Sequence, residues 1–219
     1  INIIIGEYIQ NLCEKDVSLN HAQLNIIIEI VRGKVYIGYK KITGYGGLPN
    51  GTSESAVSLL SSGIDSPVAS FHMLKRGVKI VYVHFHSAPA TNRQSIQNCK
   101  KLVNILSQFQ LESELYMIPI LPIQKNIMSE IKDKYWVILF RRAMVRLACQ
   151  LADELKVNAL ITGENVGQVS SQTISNIHAI SSISTLPILR PIAGNNKEET
   201  IITAREIGTY EYSIAPHQD

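Results

Sequence analysis

Hydrophobic and polar positions change rhythm near residue 50. Between residues 24 and 42 they alternate: Ile26, Ile28 and Ile30 share one face, Arg32-Gly33 interrupts, and Val35, Ile37 and Tyr39 resume the pattern. Alternation of period two on both sides of a short glycine-containing break predicts an antiparallel hairpin. Residues 44–52 carry four glycines and a proline in nine positions. That composition is expected of a linker or extended loop, not of a helix or strand interior. Asn50-Gly51-Thr52 has the form of a glycosylation sequon, but no signal-peptide pattern opens the chain, and it reads as a turn.

Beyond residue 55 short apolar runs alternate with longer amphipathic stretches. Strands are predicted at 57–60, 78–85, 114–118 and 159–162. One helix follows the first strand, with Pro67 in its opening turn and Gly77 as its stop. A second is marked by the face Ile96, Cys99, Val103 and Leu106. A third fits 138–155, and a fourth fits 197–207 with Gly208 behind it. Strands apolar on both faces, separated by helices, make a parallel sheet covered on both sides. The expected fold class is therefore α/β, a doubly wound parallel sheet preceded by a short antiparallel hairpin segment.

Composition narrows the class further. The chain has 219 residues, 45% of them hydrophobic and 18% charged, values of a folded domain and not of a disordered chain. No apolar run reaches the length of a membrane span. Cys13, Cys99 and Cys149 are few and widely spaced, without a CxxC pair, which argues against a disulfide framework or a four-cysteine zinc site and for a reducing cytoplasm. The net charge of +3 is compatible with a nucleic-acid partner without arguing for one. The first residue is Ile1, as expected of a piece of a longer protein.

The chemistry is concentrated after the first strand of the α/β region, in Ser61-Ser62-Gly63-Ile64-Asp65-Ser66 followed by Pro67-Val68-Ala69. Small residues let backbone N–H groups approach an anion, hydroxyls add donors, and a helix N-terminus favours negative charge. The GxxxxGK[ST], GxGxxG and GxSxG patterns are all absent. A carboxylate in a phosphate nest is repulsive unless a cation mediates, so Asp65 points to Mg²⁺ bound to pyrophosphate. The other reading of the same hexapeptide is a plain turn in which Asp65 or Ser66 caps the helix.

The strand-LLSxGxDSPVA-helix arrangement resembles the PP-loop of ATP pyrophosphatases, whose usual form is SGGxDS. More specifically, the chain resembles the tRNA 4-thiouridine synthase family, tRNA sulfurtransferases also linked to thiamine thiazole synthesis. The segments that carry the resemblance are Gly46-Gly47-Leu48-Pro49-x-Gly51-Thr52, Arg141-Arg142-x-Met144-Val145-Arg146, and the block from Thr162-Gly163-Glu164 through Gly167-Gln168-Val169-Ser170-Ser171-Gln172-Thr173. Leu189-Arg190-Pro191 and Lys197-Glu198-Glu199 complete the set. The resemblance implies a PP-loop ATP pyrophosphatase domain over 51–219. It implies that residues 1–50 are the C-terminal part of a tRNA-binding THUMP domain with its linker. One departure is Ser62, which stands where the family has its first glycine. If that position needs positive φ or a very close approach to phosphate, a serine costs about 1 kcal/mol there.

The activity implied is ATP-dependent: uracil O4 attacks the α-phosphate, pyrophosphate leaves, and a persulfide sulfur then displaces AMP. Asp65 and Lys197 are the implied catalytic residues, Asp65 also holding Mg²⁺ through pyrophosphate. A lysine opening a helix opposes the macrodipole, which an ammonium reaching the α-phosphate would explain; the other reading is a solvated surface lysine. ATP contacts are expected from Leu59, Leu60, Ser61, Ser62, Gly63, Asp65 and Ser66. Further contacts are expected from His84 and Phe85 over adenine, and from Arg141, Gly163 and Gln172. The other readings of Arg141, taken with Arg142 and Arg146, are a solvated face or a phosphate track for RNA. His84 and His86 alternate in the manner of a metal-ligand pair, but no third ligand is evident.

Implied partners are tRNA and a sulfur donor, such as a cysteine desulfurase or sulfide; a homodimer is compatible, a membrane is not expected, and the location is cytoplasmic. The family's sulfur-transfer cysteine follows the segment that here reads Ile214-Ala215-Pro216-His217-Gln218-Asp219. None of the three cysteines matches it, and Cys99 and Cys149 read as core. The TGExxGQVSSQT block argues against an amidotransferase-type synthetase or NAD synthetase. The alternative of another class is a non-catalytic RNA- or adenine-nucleotide-binding module.

Overall fold

A computed structural model describes residues 2–13, 16–18, 20–91 and 93–215. The chain divides into two compact units, Ile1–Gly46 and Gly47–Asp219. In the first, helix α1 (Asn2–Cys13) precedes strands β1 (Ile27–Val31) and β2 (Lys34–Gly38). The two strands pair antiparallel, Ile28 opposite Ile37 and Ile30 opposite Val35. Arg32 and Gly33 join them with φ of 50° and 75°, a tight turn whose twist suits the right-handed twist of the strands.

The second unit is built on one sheet. In chain order its elements are β3 (Leu48–Leu59), α2 (Asp65–Leu74), β4 (Arg76–His86), α3 (Gln94–Leu106), β5 (Glu114–Pro119), α4 (Leu121–Glu130) and α5 (Trp136–Leu155). There follow β6 (Leu160–Ile161), α6 (Ile174–Ser181), β7 (Ile188–Leu189), α7 (Lys197–Glu206) and α8 (Tyr210–Ser213). The sheet has five strands in the order β5-β4-β3-β6-β7, and every neighbouring pair is parallel. The chain builds outward from β3 to β5, then returns across α4 and α5 to start again beside β3 with β6. That reversal is where the fold gathers its loops.

Alternating strand residues feed two cores, as a pleated backbone requires. Ala56, Ile80, Tyr82 and Ile161 pack with Val68, Phe71 and Leu74 of α2, Cys99, Val103 and Leu106 of α3, and Ala204 of α7. Val57, Val81, Val83 and Leu160 pack on the other face with Val145, Ala148 and Leu151 of α5 and Ile180 of α6. Each of these side chains contributes about 1.5–3 kcal/mol of burial where it is a large aliphatic or aromatic one. Cys99 and Cys149 lie one in each core, neither of them in a disulfide among the described residues. Burial pushes the Tyr82 phenol above its ordinary range. No helix among the described residues is long and apolar enough to cross a membrane.

The glycine-rich segment corrects an expectation. Residues 48–52 are not a loop but the first part of β3, with Leu48 opposite Arg76 and register shifts between Leu48 and Ser55. The irregular pairing accommodates Gly51, whose φ is +80°. Gly47 precedes it with φ +106°, pressed against the backbone of Lys75, and Leu48 N–H donates to the Lys75 carbonyl at 2.8 Å. Only a residue without a side chain fits that approach. The helix expected to stop at Gly77 ends at Leu74, and Gly77 belongs to β4.

Candidate functional site

The reversal of strand order places the loops after β3 and β6 side by side at the carboxyl edge of the sheet. Between them and α5 lies a cleft of about 260 Å³. Its polar walls are Ser61, Gly63, Asp65 and Ser66 from the first loop and α2, with Thr162, Gly163, Glu164 and Gln172 from the second. Leu59, Met144 and Ile180 supply apolar surface, and Arg141 reaches in from α5.

Serines brace the first loop. The Ser58 and Ser70 hydroxyls lie 2.9 Å apart, and Ser70 Oγ donates to the Ser66 carbonyl at 2.9 Å, tying β3 to α2. Ser61 N–H donates to Ser66 Oγ at 2.9 Å, and the two hydroxyls are 3.1 Å apart. Gly63 N–H donates to Ser61 Oγ at 3.3 Å, and Ser213 of α8 donates to the Gly63 carbonyl at 3.2 Å. The helix N-cap is Ile64, without a side-chain cap, so neither Asp65 nor Ser66 plays the capping part that a plain turn predicts. A helix N-terminus whose cap residue makes no side-chain bond suits an anion. Ser62 is buried and is not among the residues with positive φ. The part of the cost tied to positive φ therefore does not arise.

Gly163 joins the two loops. A Cβ there would lie 2.6 Å from the backbone N of Ser66 and 2.7 Å from its Cα, so backbone meets backbone across the mouth of the sheet. Gly163→Ala must push the loops apart, and is expected to destabilise the domain by about 1–3 kcal/mol. Thermal denaturation reads this as a lowered Tm; an unchanged Tm would mean that the loops separate freely.

Asp65 and Lys197, far apart in sequence, meet here. Lys197 Nζ donates to Asp65 Oδ1 at 2.8 Å, and Gln168 Nε2 approaches Asp65 Oδ2 at 3.5 Å. Each of the paired residues opens a helix, Asp65 α2 and Lys197 α7. The α7 N-terminus is satisfied without the lysine: Asn196 accepts from Glu199 N–H and Glu199 accepts from Asn196 N–H, a capping box. Lys197 thus stands in an exposed ion pair and plays no part in capping its helix. Its side chain is 44% exposed and that of Asp65 24%, a pair open enough for a ligand to reach.

Deeper in the wall, Glu164 bridges two arginines. Arg141 Nη1 donates to its Oε1 at 3.0 Å and Arg190 Nε to its Oε2 at 2.8 Å, while Thr162 Oγ1 donates to Oε2 at 3.2 Å. Gln172 is buried and lines the cleft, and among the described residues its side-chain carbonyl has no hydrogen-bond partner. A buried amide oxygen without a partner is costly, so this one is an open acceptor for a ligand's N–H.

Not every residue singled out in the sequence reaches the cleft. Leu60 and Ser62 are buried behind the loop. The His84 ring lies beneath it, with Nδ1 2.9 Å from the Leu60 carbonyl and 3.3 Å from Cys99 Sγ, and Phe85 packs against the α5 core. Arg142 is spent on the Ala179 carbonyl and Ser182 Oγ. Among the described residues no group of three His, Cys, Asp or Glu could hold a metal ion. A single carboxylate such as Asp65 nevertheless fits Mg²⁺, which takes one or two carboxylates with substrate phosphates and water. Of residues 214–219, which precede the expected sulfur-handling cysteine, 216–219 lie outside the described residues. Glu164, Arg190, Thr162 and Gln168 are the additions to the residues proposed from sequence. All four stand in the segments that carry the family resemblance, where sequence reasoning gives the site roles to other residues.

A doubly wound sheet with a serine-braced loop, an uncapped helix and a lysine at the switch point defines an α/β domain of the PP-loop class. Residues 51–219 match the family model for thiamine biosynthesis protein (ThiI), and the chain belongs to that family. It is 44% identical over 189 residues to a probable tRNA sulfurtransferase of Finegoldia magna, covering 86% of this chain and 48% of the relative. With the probable tRNA sulfurtransferase of Thermus thermophilus it shares 38% over 215 residues, covering 98% of this chain and 53% of that one. A 4-thiouridine synthetase solved in complex with RNA and bound ATP is 38% identical, with a TM-score of 0.88 over 100% of this chain and 57% of that chain. The chain spans about half the length of the curated relatives it matches.

Proposed function

We propose that this chain carries the uridine-activating part of an ATP-dependent tRNA sulfurtransferase that forms 4-thiouridine. The observation that carries the reading is the convergence of Asp65 and Lys197 at the lip of a cleft on the PP-loop. The relatives named as tRNA sulfurtransferases and the ATP-bound 4-thiouridine synthetase support it. ATP is a substrate in this reading, with its phosphates on residues 61–66 and its base toward Gln172.

Uridine C4 carries a carbonyl oxygen, a poor leaving group. Attack by O4 on the α-phosphorus breaks the bond to the β-phosphate and makes that oxygen part of AMP, a good leaving group for displacement by sulfur. Lys197 neutralises charge as it shifts on the α-phosphate, and the α2 N-terminus with the loop N–H groups holds the departing pyrophosphate. Asp65 would hold Mg²⁺ with phosphate oxygens, and the ion would neutralise the polyphosphate. For Lys197 to reach the phosphate it must leave Asp65, a change that an exposed pair worth about 0–1 kcal/mol permits.

The accompanying assignments belong to the same proposal. Residues 1–50 serve as the end of a THUMP domain with its linker, and the remainder as the catalytic domain. The sulfur comes from a donor such as a cysteine desulfurase or sulfide, the protein works in the cytoplasm, and the same sulfur transfer serves thiazole synthesis. The test is pyrophosphate release from ATP by the protein with a tRNA transcript. Release that requires the tRNA is the expected result. Binding of tRNA and ATP without release would replace this reading with a non-catalytic binding module.

A further inference from the structure

The bridge at Glu164 is asymmetric. Arg190 is consumed inside the protein: Nε on Glu164, Nη2 on Ser181 Oγ at 2.7 Å and Nη1 toward the Ile188 carbonyl at 3.5 Å. Arg141 gives one terminal nitrogen to Glu164 and stands in the cleft wall with its side chain 30% exposed. A guanidinium is planar and carries five N–H donors in a fixed fork. Fixing Nη1 therefore fixes the plane and the direction in which the other donors point. Two guanidinium charges against one carboxylate also leave this wall with a surplus positive charge, which suits an anionic ligand.

We infer that Glu164 is a positioning residue that aims Arg141 at the nucleotide, itself held in place from behind by Arg190 and Ser181. The inference rests on the nucleotide reading of the cleft. Arg141 is the member of the set whose remaining donors face the ligand; Glu164 also lines the cleft, but its side chain is 10% exposed and both its oxygens are engaged by arginines. A donor already oriented loses less freedom on binding than a swinging arginine, so Glu164 acts on affinity without touching ATP. A purely structural role predicts something else: the bridge would stitch α5, β6, α6 and β7 together and affect only stability.

A double-mutant cycle on ATP affinity separates the two. The dissociation constant for Mg-ATP is measured by calorimetry for wild type, Glu164→Gln, Arg141→Ala and the double variant, with a melting curve for each. Glu164→Gln keeps the shape of the side chain and is expected to weaken binding about tenfold, the size of one charge-assisted hydrogen bond. The double variant is expected to bind no more weakly than Arg141→Ala alone, because Glu164 has nothing left to aim. Penalties that multiply in the double variant, or a lowered Tm with unchanged affinity, would overturn the positioning role and leave the nucleotide reading standing. A wild type that binds no ATP would overturn both. Should Glu164→Gln not fold, Ser181→Ala carries the same cycle from the far end of the chain of contacts. Its expected effect is about twofold to threefold, vanishing in the Arg141→Ala background; an effect that persists there would overturn the inference.

Discussion

Asp65→Ala is expected to lower tRNA-dependent pyrophosphate release by about three orders of magnitude or more while leaving a folded protein. The carboxylate stands where α2 begins and meets Lys197 and Gln168, so its removal takes away charge at the phosphates but no core packing. The stability cost is the lost helix-dipole contact, about 0.3–1 kcal/mol, and a partly exposed ion pair worth about as little. Asp65→Asn is the sharper variant, because it keeps an oxygen for Lys197 and Gln168 and removes only the charge. Its turnover is expected to fall nearly as far as that of the alanine variant. Near-normal release by Asp65→Asn would assign the residue to loop geometry and remove it from ion binding.

Lys197→Met is expected to fold, to bind ATP, and to release pyrophosphate about 100- to 1000-fold more slowly. Two opposing effects set its stability. A lysine in the first turn faces the positive end of the α7 dipole, unfavourable by about 0.3–1 kcal/mol, whereas its contact with Asp65 returns a similar amount. The capping box of Asn196 and Glu199 survives the substitution. The Tm is therefore expected to stay within a few degrees of wild type, and a large fall would give Lys197 a structural part beyond its pair with Asp65. Retained turnover would return it to the protein surface.

The sequence made the sheet legible where strands are long and buried. Ile80–Val83 and Ala56–Val57 alternate between two cores, and β4 and β5 lie where the pattern put them. It was poor where burial is slight. Helix α4 buries no residue and α6 only Ile180, so neither leaves an apolar stripe to read. β7 has two residues, and a period cannot be seen in two positions; β6 is as short but lies within the buried strand read at 159–162. Glycines misled at residues 48–52, because an irregular strand and a loop share the same composition.

In the site, single residues were legible and their meetings were not. Asp65 stood out as an acid in an anion loop and Lys197 as a base at the wrong helix end, each odd for a local electrostatic reason. Their contact arises from the return of the chain to the far side of β3, which no local pattern reports. The same holds for Glu164 with Arg141 and Arg190, drawn from one helix and the ends of two strands. His84 was legible as a strand-end residue, but only the fold shows its ring beneath the Leu60 carbonyl.

The most direct test of this account is a crystal structure of the protein with Mg²⁺ and a non-hydrolysable ATP analogue. The account predicts phosphates against residues 61–66 and the α2 N-terminus, Lys197 turned from Asp65 toward the α-phosphate, and the base within reach of the Gln172 carbonyl. Phosphates bound elsewhere on the domain, with the Asp65–Lys197 pair intact, would contradict it.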